Sequence, residues 1–267
     1  MEKSLKNQVA LVTGASSGLG KSVAIYLARA GAKVAVNYHS DEEGANDTVD
    51  TVKKEGGEAF AVQADVGDEH AVEEMFEKVF NTYDNLDILV SNAGIQKDAP
   101  LDEMTLKDWE LVIRTNLTGA FLCSRLAVRY FLKRGVVDGI SRSAGKIIFM
   151  SSVHQEIPWA GHINYAAAKG GLTEFMRTLS QEVANKQIRV NSVAPGAIKT
   201  SINEDVWKDE KQVKELLKLI PYNRLGEPED VSEVVLWLAS DKSEYVNGTT
   251  IFVDGGMSLY PGFIGNG

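Results

Sequence analysis

What most constrains this chain is a rhythm along its 267 residues: short β-branched runs, each followed by a stretch with helical spacing. Val9-Ala10-Leu11-Val12-Thr13 gives way to glycines and a predicted helix over 20–30. Lys33-Val34-Ala35-Val36-Asn37 precedes an acidic helix over 41–55, and Ala59-Phe60-Ala61-Val62-Gln63 precedes one over 68–83. The pattern repeats in Leu86-Asp87-Ile88-Leu89-Val90 with a helix over 117–133. It repeats again in Gly145-Lys146-Ile147-Ile148-Phe149-Met150 with a helix over 164–185. Ile188-Arg189-Val190-Asn191-Ser192-Val193 and Thr249-Thr250-Ile251-Phe252-Val253 add two more strands. These runs are continuously apolar rather than alternating, as strands must be when helices cover both faces of their sheet.

Parallel neighbours need crossover helices, and those crossovers are right-handed. The expected fold is therefore α/β: a Rossmann-type, doubly wound, mainly parallel sheet of about seven strands with helices on both faces. No Pro/Gly/Ser-rich linker, low-complexity tract or repeat divides it, so residues 1–267 read as one dinucleotide-binding domain. A net charge of −9 offers no general attraction to nucleic acid or anionic membrane, and neither is expected as a partner. Residues Met1–Gln8 lack the apolar core of a signal peptide, and no later run reads as a bilayer span. Cys123 is the only cysteine, which excludes an intrachain disulfide and fits the cytoplasm.

Sheets of this kind bind ligands beyond the carboxyl ends of their strands. After the first strand, Thr13-Gly14-Ala15-Ser16-Ser17-Gly18-Leu19-Gly20 opens a helix. Glycines there let a phosphate approach the backbone, and the helix N-terminus adds free N–H groups. The spacing is Gly-x-x-x-Gly-x-Gly rather than the general Gly-x-Gly-x-x-Gly, and a glycine turn can also be purely steric. The second strand ends in Asn37-Tyr38-His39-Ser40, without the acidic residue that would hold ribose hydroxyls and repel a 2′-phosphate. NADP is therefore expected to be accepted, alongside NAD. Asp65-Val66 and Asn92-Ala93-Gly94 follow the third and fourth strands, where adenine-side and backbone contacts are made.

Ser152 follows the fifth strand, and Tyr165 and Lys169 share one face of the next helix, four residues apart. Hydride departure from an alcohol carbon requires the hydroxyl proton to leave too. A phenol accepts it when neighbouring positive charge lowers its pKa, and Lys169 supplies such a charge. Ser152 would hydrogen-bond the substrate oxygen, and Asn116, at the start of the preceding helix, would hold a water linking Lys169 to solvent. Taken singly, Ser152 also reads as a turn cap and Asn116 as an ordinary N-cap.

Together these residues resemble the short-chain dehydrogenase/reductase family. The match is carried by Thr13-Gly14-x-x-x-Gly18-x-Gly20, Asp65-Val66, Asn92-Ala93-Gly94, Asn116, Ser152, Tyr165-Ala166-Ala167-Ala168-Lys169 and Pro195-Gly196, and runs from about Val9 to Phe263. The resemblance implies a tetrad of Asn116, Ser152, Tyr165 and Lys169 with Tyr165 as acid/base. It implies cofactor contacts from Gly14, Ser16, Ser17, Gly18, Leu19, Gly20, Asn37, His39, Asp65, Val66, Asn92, Ala93 and Gly94. Tyr165 and Lys169 join them, with a closing loop carrying Pro195, Gly196, Ile198 and Thr200. It further implies a homotetramer using the helices of Asn116 and Tyr165, with Cys123 buried and inert.

A narrower likeness is to bacterial glucose 1-dehydrogenases. It rests on Ser151-Ser152-Val153-His154-x-x-Ile157-Pro158-Trp159, on Gly196-Ala197-Ile198-x-Thr200-x-Ile202-Asn203, and on the tail Asp254-Gly255-Gly256-Met257-x-x-Tyr260-Pro261-x-Phe263. It implies oxidation of glucose to gluconolactone, with Gln96, Ser152, His154 and Asn203 as substrate contacts. Gln96 stands where that group often has Glu, and His39 where it tends to have Arg. The segment 135–143 looks like a surface excursion. The four histidines, at 39, 70, 154 and 162, show no zinc-ligand spacing, so no metal is expected. Two rivals stay open: a 3-oxoacyl (acyl-carrier-protein) or other carbonyl reductase, with Arg125, Arg129 and Lys133 meeting an acidic carrier, and a cofactor-binding regulator without catalysis.

Overall fold

The computed structural model describes residues 3–200 and 207–259. Seven strands form one sheet in the order β3-β2-β1-β4-β5-β6-β7, and all of its pairings are parallel. They are β1 (Val9–Val12), β2 (Lys33–Tyr38), β3 (Glu58–Gln63), β4 (Ile88–Ser91), β5 (Gly145–Met150), β6 (Ile188–Pro195) and β7 (Thr250–Val253). All seven expected strands are present. The order reverses between β1 and β4, and a crevice opens beyond the strand ends at such a switch point.

Alternate strand residues feed two separate cores. Ala10, Val12, Ile88, Val90, Ile148 and Met150 pack on one face beneath α1 (Gly18–Arg29), α2 (Glu42–Lys54) and the last long helix. Val9, Leu11, Leu89, Ile147 and Phe149 pack on the other, beneath α3 (Glu69–Tyr83), α5 (Gly119–Arg134) and α6 (Ile163–Val183). Burial on both faces is why the strands carry no polar alternation. That last long helix is α8 (Pro228–Ala239), and α7 (Glu210–Leu217) precedes it.

The helix expected to begin near Leu117 in fact begins eleven residues earlier. α4 (Leu106–Ile113) runs through a π-turn (Arg114–Thr118) into α5 as one rod. Thr105, not Asn116, caps it by accepting from Asp108 N–H. By length and composition this rod, Leu106–Arg134, also passes for a bilayer span, contrary to the reading of the bare sequence. Its Val112, Leu122, Ala127 and Phe131 are nevertheless buried within the protein, as in a core helix.

The pole opposite the strand ends holds a buried polar network. Asp87 accepts from Val9 N–H and from Arg134, each at 2.7 Å. Lys146, 1% exposed, donates to Gln8 Oε1 at 2.6 Å and stands 3.8 Å from Asp241. Burial pushes its ammonium down to about 8. The excursion at 135–143 acquires a role here: Ser141 Oγ donates to Asp241 at 2.6 Å, and Ser143 Oγ accepts from Arg189.

Candidate active site

The crevice is laced across the switch point. Thr13 Oγ1 accepts the N–H groups of Asn92 and Ala93 at 2.9 and 3.0 Å, and Asn92 Nδ2 donates to the carbonyls of Thr13 and Gly14. Gly14 has φ +60, and a Cβ there would stand 2.9 Å from Ala93 Cα. A Cβ on Gly20 would meet Asn92 Nδ2 at 2.5 Å. The turn is thus a close-packed cradle opening onto α1. Ser17, the N-cap, makes no side-chain cap bond, whereas Asp41, Asp68 and Thr105 cap their helices. The first N–H groups of α1 are left to a ligand. This fits a dinucleotide phosphate. Ser16, Gly18 and Leu19 line the same turn, and Thr200 comes within 3.5 Å of a Cβ built on Gly18.

Several residues expected at the cofactor also bond the protein itself. Asn37 is buried and spends its amide on the main chain, accepting from Gly14 N–H at 3.1 Å and donating to the carbonyls of Val62 and Ala64. It shapes the glycine turn from behind. The Asp65 carboxylate accepts from Gly67 N–H and pairs with Arg114 at 2.7 Å, and Val66 is buried against Gly119. His39 and Ser40 are exposed at the end of β2, with no acidic residue between Asn37 and Ser40.

Ser152 is 7% exposed and caps the turn Val153–Gln155, its Oγ accepting from His154 N–H at 3.2 Å. Against the larger upward push of burial, Ser152 and Gln96 draw the Tyr165 phenol down. Lys169 lies one turn further along α6, its Nζ 5.5 Å from the Tyr165 ring centre and 2.7 Å from Met150 O. Burial pushes Tyr165 up and Lys169 down to about 8, so both are pressed toward their uncharged forms.

Asn116 does not cap a helix. It sits in the π-turn, buried, with Oδ1 accepting from Ile95 N–H at 2.8 Å and Nδ2 donating to Ile95 O at 3.0 Å. Such one-residue insertions rotate a side chain out of the helical register. Asn164 went unnoticed in the sequence. It is fully buried beside Tyr165, donates to Lys97 O at 2.9 Å and accepts from Tyr165 N–H at 2.7 Å. An Asn before an apolar helix resembles an N-cap, so no sequence signal separates it.

His154 Nδ1 bonds Ile157 O at 3.1 Å, and burial pushes the imidazole down. Its ring stacks on Trp159 at 4.2 Å, and Trp159 stacks on His162 at 3.4 Å. His162 in turn stands 3.2 Å from Asp98. The closing loop leaves β6 at Pro195 and Gly196, and Ile198 is buried beside Gly226, whose carbonyl accepts from Lys199 N–H. Asn203, Ile202 and the tail from Tyr260 lie outside the described residues. Cys123 is buried, and its thiol is pushed up to about 12. Arg125 is paired with Glu69, which leaves the Arg125-Arg129-Lys133 face one cation short as a docking patch.

The chain is similar to known dehydrogenases and reductases. A family model described as enoyl-(acyl carrier protein) reductase matches residues 14–258. The chain is 44% identical over 263 residues to 3β-hydroxysteroid dehydrogenase 1 of Eggerthella lenta, covering 98% of both. It is 40% identical over 262 residues to glucose 1-dehydrogenase 2 of Bacillus subtilis, again covering 98% of both. Among solved structures, a gluconate 5-dehydrogenase from Burkholderia cenocepacia in complex with NADP and tartrate superposes with a TM-score of 0.88. It is 33% identical and covers 96% of this chain and 97% of that one.

Proposed function

This chain belongs to the short-chain dehydrogenase/reductase family of NAD(P)-dependent oxidoreductases, and we propose that its alcohol substrate is carried on a ring, first of all the anomeric carbon of D-glucose, with gluconolactone as product. The observation that carries this reading is the aromatic ledge beside the phenol. Trp159 lies flat between His154 and His162, and His154 meets the Tyr165 ring edge-on at 6.5 Å. Because the histidines take both faces of Trp159, what the stack offers a ring is its aromatic edge, with nearby polar groups to orient hydroxyls. His154 and Gln96 are placed for that, and we assign Asn203 to the same role from the sequence.

Bound NAD or NADP supplies the hydride acceptor. The chain does the rest. Gly14 through Gly20 and the start of α1 hold the phosphates, Asn92 to Gly94 floor the crevice, and Pro195, Gly196, Ile198 and Thr200 cover it. The neutral end of β2 at Asn37, His39 and Ser40 favours neither cofactor, so we read dual use. Tyr165 takes the hydroxyl proton, Ser152 holds the substrate oxygen, and Lys169 lends positive charge to the phenolate. Asn116 acts through Ile95.

A second reading, a 3β-hydroxysteroid alcohol, is favoured by the same ledge and the E. lenta relative. Purified protein is assayed for NAD(P)H absorbance with D-glucose, a 3β-hydroxysteroid and a 3-oxoacyl ester, with NAD and NADP in parallel. Glucose-dependent reduction is expected. Turnover of the steroid alone moves the substrate to the second reading, and reduction of the oxoacyl ester alone refutes both. Tyr165→Phe abolishes turnover and leaves cofactor binding intact, and an active variant would refute the mechanism. Phe121 is 43% exposed on α5 and Ile163 41% exposed on α6, and we assign these helices to the interface of a homotetramer. A monomer mass by sedimentation would overturn that assignment.

A further inference from the structure

The loop that leaves β6 at Pro195 is fastened to the segment before α8. Gly226 N–H donates to Ala197 O and Lys199 N–H donates to Gly226 O, each at 2.9 Å, making a short parallel bridge at Ile198. Ile198 is buried, and a Cβ on Gly226 would collide with its Cδ1, while the next nearest atoms stand at 3.6 Å. The φ of Gly226 is outside the left-handed region, so a side chain is refused there by contact with Ile198 alone. Lys199 pairs with Glu227, and Trp207 Nε1 donates to Thr200 O at 2.9 Å. The Gly226 segment is itself braced. Arg224 grips both carboxylate oxygens of Asp230 at 2.6 and 2.9 Å and donates to Leu225 O, and Asp230 accepts from Glu227 N–H at 2.8 Å. Asp230 stands in the first turn of α8, which is tied to α1 by the buried Ser232–Ser22 hydroxyl pair at 2.7 Å. The glycine turn that opens α1 and the seat of the loop at the start of α8 thus belong to one packed unit.

We propose that Gly226 and Asp230 are positioning residues for cofactor binding, which act by seating the Pro195–Thr200 loop in its closed place over the crevice. The inference rests on the reading of that loop as the cover of the bound cofactor. A loop that holds its ligand in one conformation loses apparent affinity in proportion to the time it spends in others. The main-chain bridge at Ile198 and the two-pronged Arg224–Asp230 pair both favour the seated form. Thr200, at the end of the bridge, faces Gly18, so the seat at Gly226 also sets how closely the loop approaches the glycine turn.

The test is limited trypsin digestion of the full chain, with the cut after Lys199 followed by mass, beside a fluorescence titration with NADPH. Gly226→Val blocks the seat. Its Lys199 cut should quicken about tenfold, and its NADPH dissociation constant should rise about fivefold or more, as for a seated fraction cut to about a fifth. Asp230→Ala leaves Gly226 and Ile198 in place and should move both readouts the same way, by about two- to fivefold. Should Gly226→Val fail to fold, Asp230→Ala carries the test. A role in stability alone would lower the urea midpoint and speed cleavage at many sites together, with NADPH affinity unchanged, and that result overturns the proposal. A quicker Lys199 cut with unchanged affinity also overturns it, and removes the loop as the cofactor's cover. Weaker affinity with the Lys199 cut unmoved overturns the seat and leaves the cover reading standing.

Discussion

Replacing Lys146 by Met tests how the far pole of the sheet is held. The lysine is 1% exposed, with Gln8 Oε1 at 2.6 Å and Asp241 at 3.8 Å, among Asp87, Arg134 and Arg189. Burial lowers its pKa from 10.5 to about 8. In the unfolded chain it keeps its proton to about 10.5, so between the two values the unfolded state binds more protons and stability rises with pH. The cost of burying the charge is fully present below about pH 8 and gone above about 10.5; it amounts to about 3 kcal/mol. The Lys146→Met variant would carry no such cost but would strand Gln8 Oε1, a loss of about 1–3 kcal/mol at every pH. The sign of the difference at one pH is therefore uninformative, and its slope is the measurement. Urea midpoints of both proteins, at one protein concentration, should diverge in favour of the natural chain by about 1.4 kcal/mol per pH unit above pH 8. A difference flat from about pH 7 to pH 10 would refute the reasoning, because it would mean that Asp241 holds the lysine charged throughout.

Gly14→Ala should lower stability by about 1–2 kcal/mol for its left-handed backbone and weaken NAD(P)H binding by about tenfold or more, because its Cβ would push Ala93 away. Gly56→Ala is the control: φ is +79 there too, but nothing lies within 4 Å, so cofactor affinity by fluorescence titration should not move. Cys123, buried with its thiol pushed up to about 12, should stay silent to thiol reagents in buffer and react once urea unfolds the chain. Labelling of the folded protein would contradict its burial.

The strands were legible because burial on both faces writes an uninterrupted apolar run. α5 was legible but its continuation back into α4 was not, because the π-turn at Arg114–Thr118 inserts a residue and puts the apolar stripes on its two sides out of phase. α8 carried a readable start that the strand rhythm obscured: Pro228 at the first turn, and reciprocal bonds between Glu227 and Asp230. α7 buries no residue, so no core stripe marked it. Within the site, Ser152, Tyr165 and Lys169 were readable by spacing. What the sequence could not show is what holds Asn37, Asp65 and Asn116, because a polar residue beside the crevice reads the same whether or not its side chain also bonds the protein. Only the fold shows that Asn37 bonds Gly14 and Asn116 bonds Ile95.

The lacing of Thr13 to Asn92 and Ala93 joins residues 79 and 80 positions apart. During synthesis, a chain that has delivered β1 through α3 already has its glycine turn but lacks the floor on which that turn rests. Cofactor can be captured only after β4 docks beside β1. Nicotinamide nucleotide should therefore slow unfolding of the finished protein and leave the rate of its early folding unchanged.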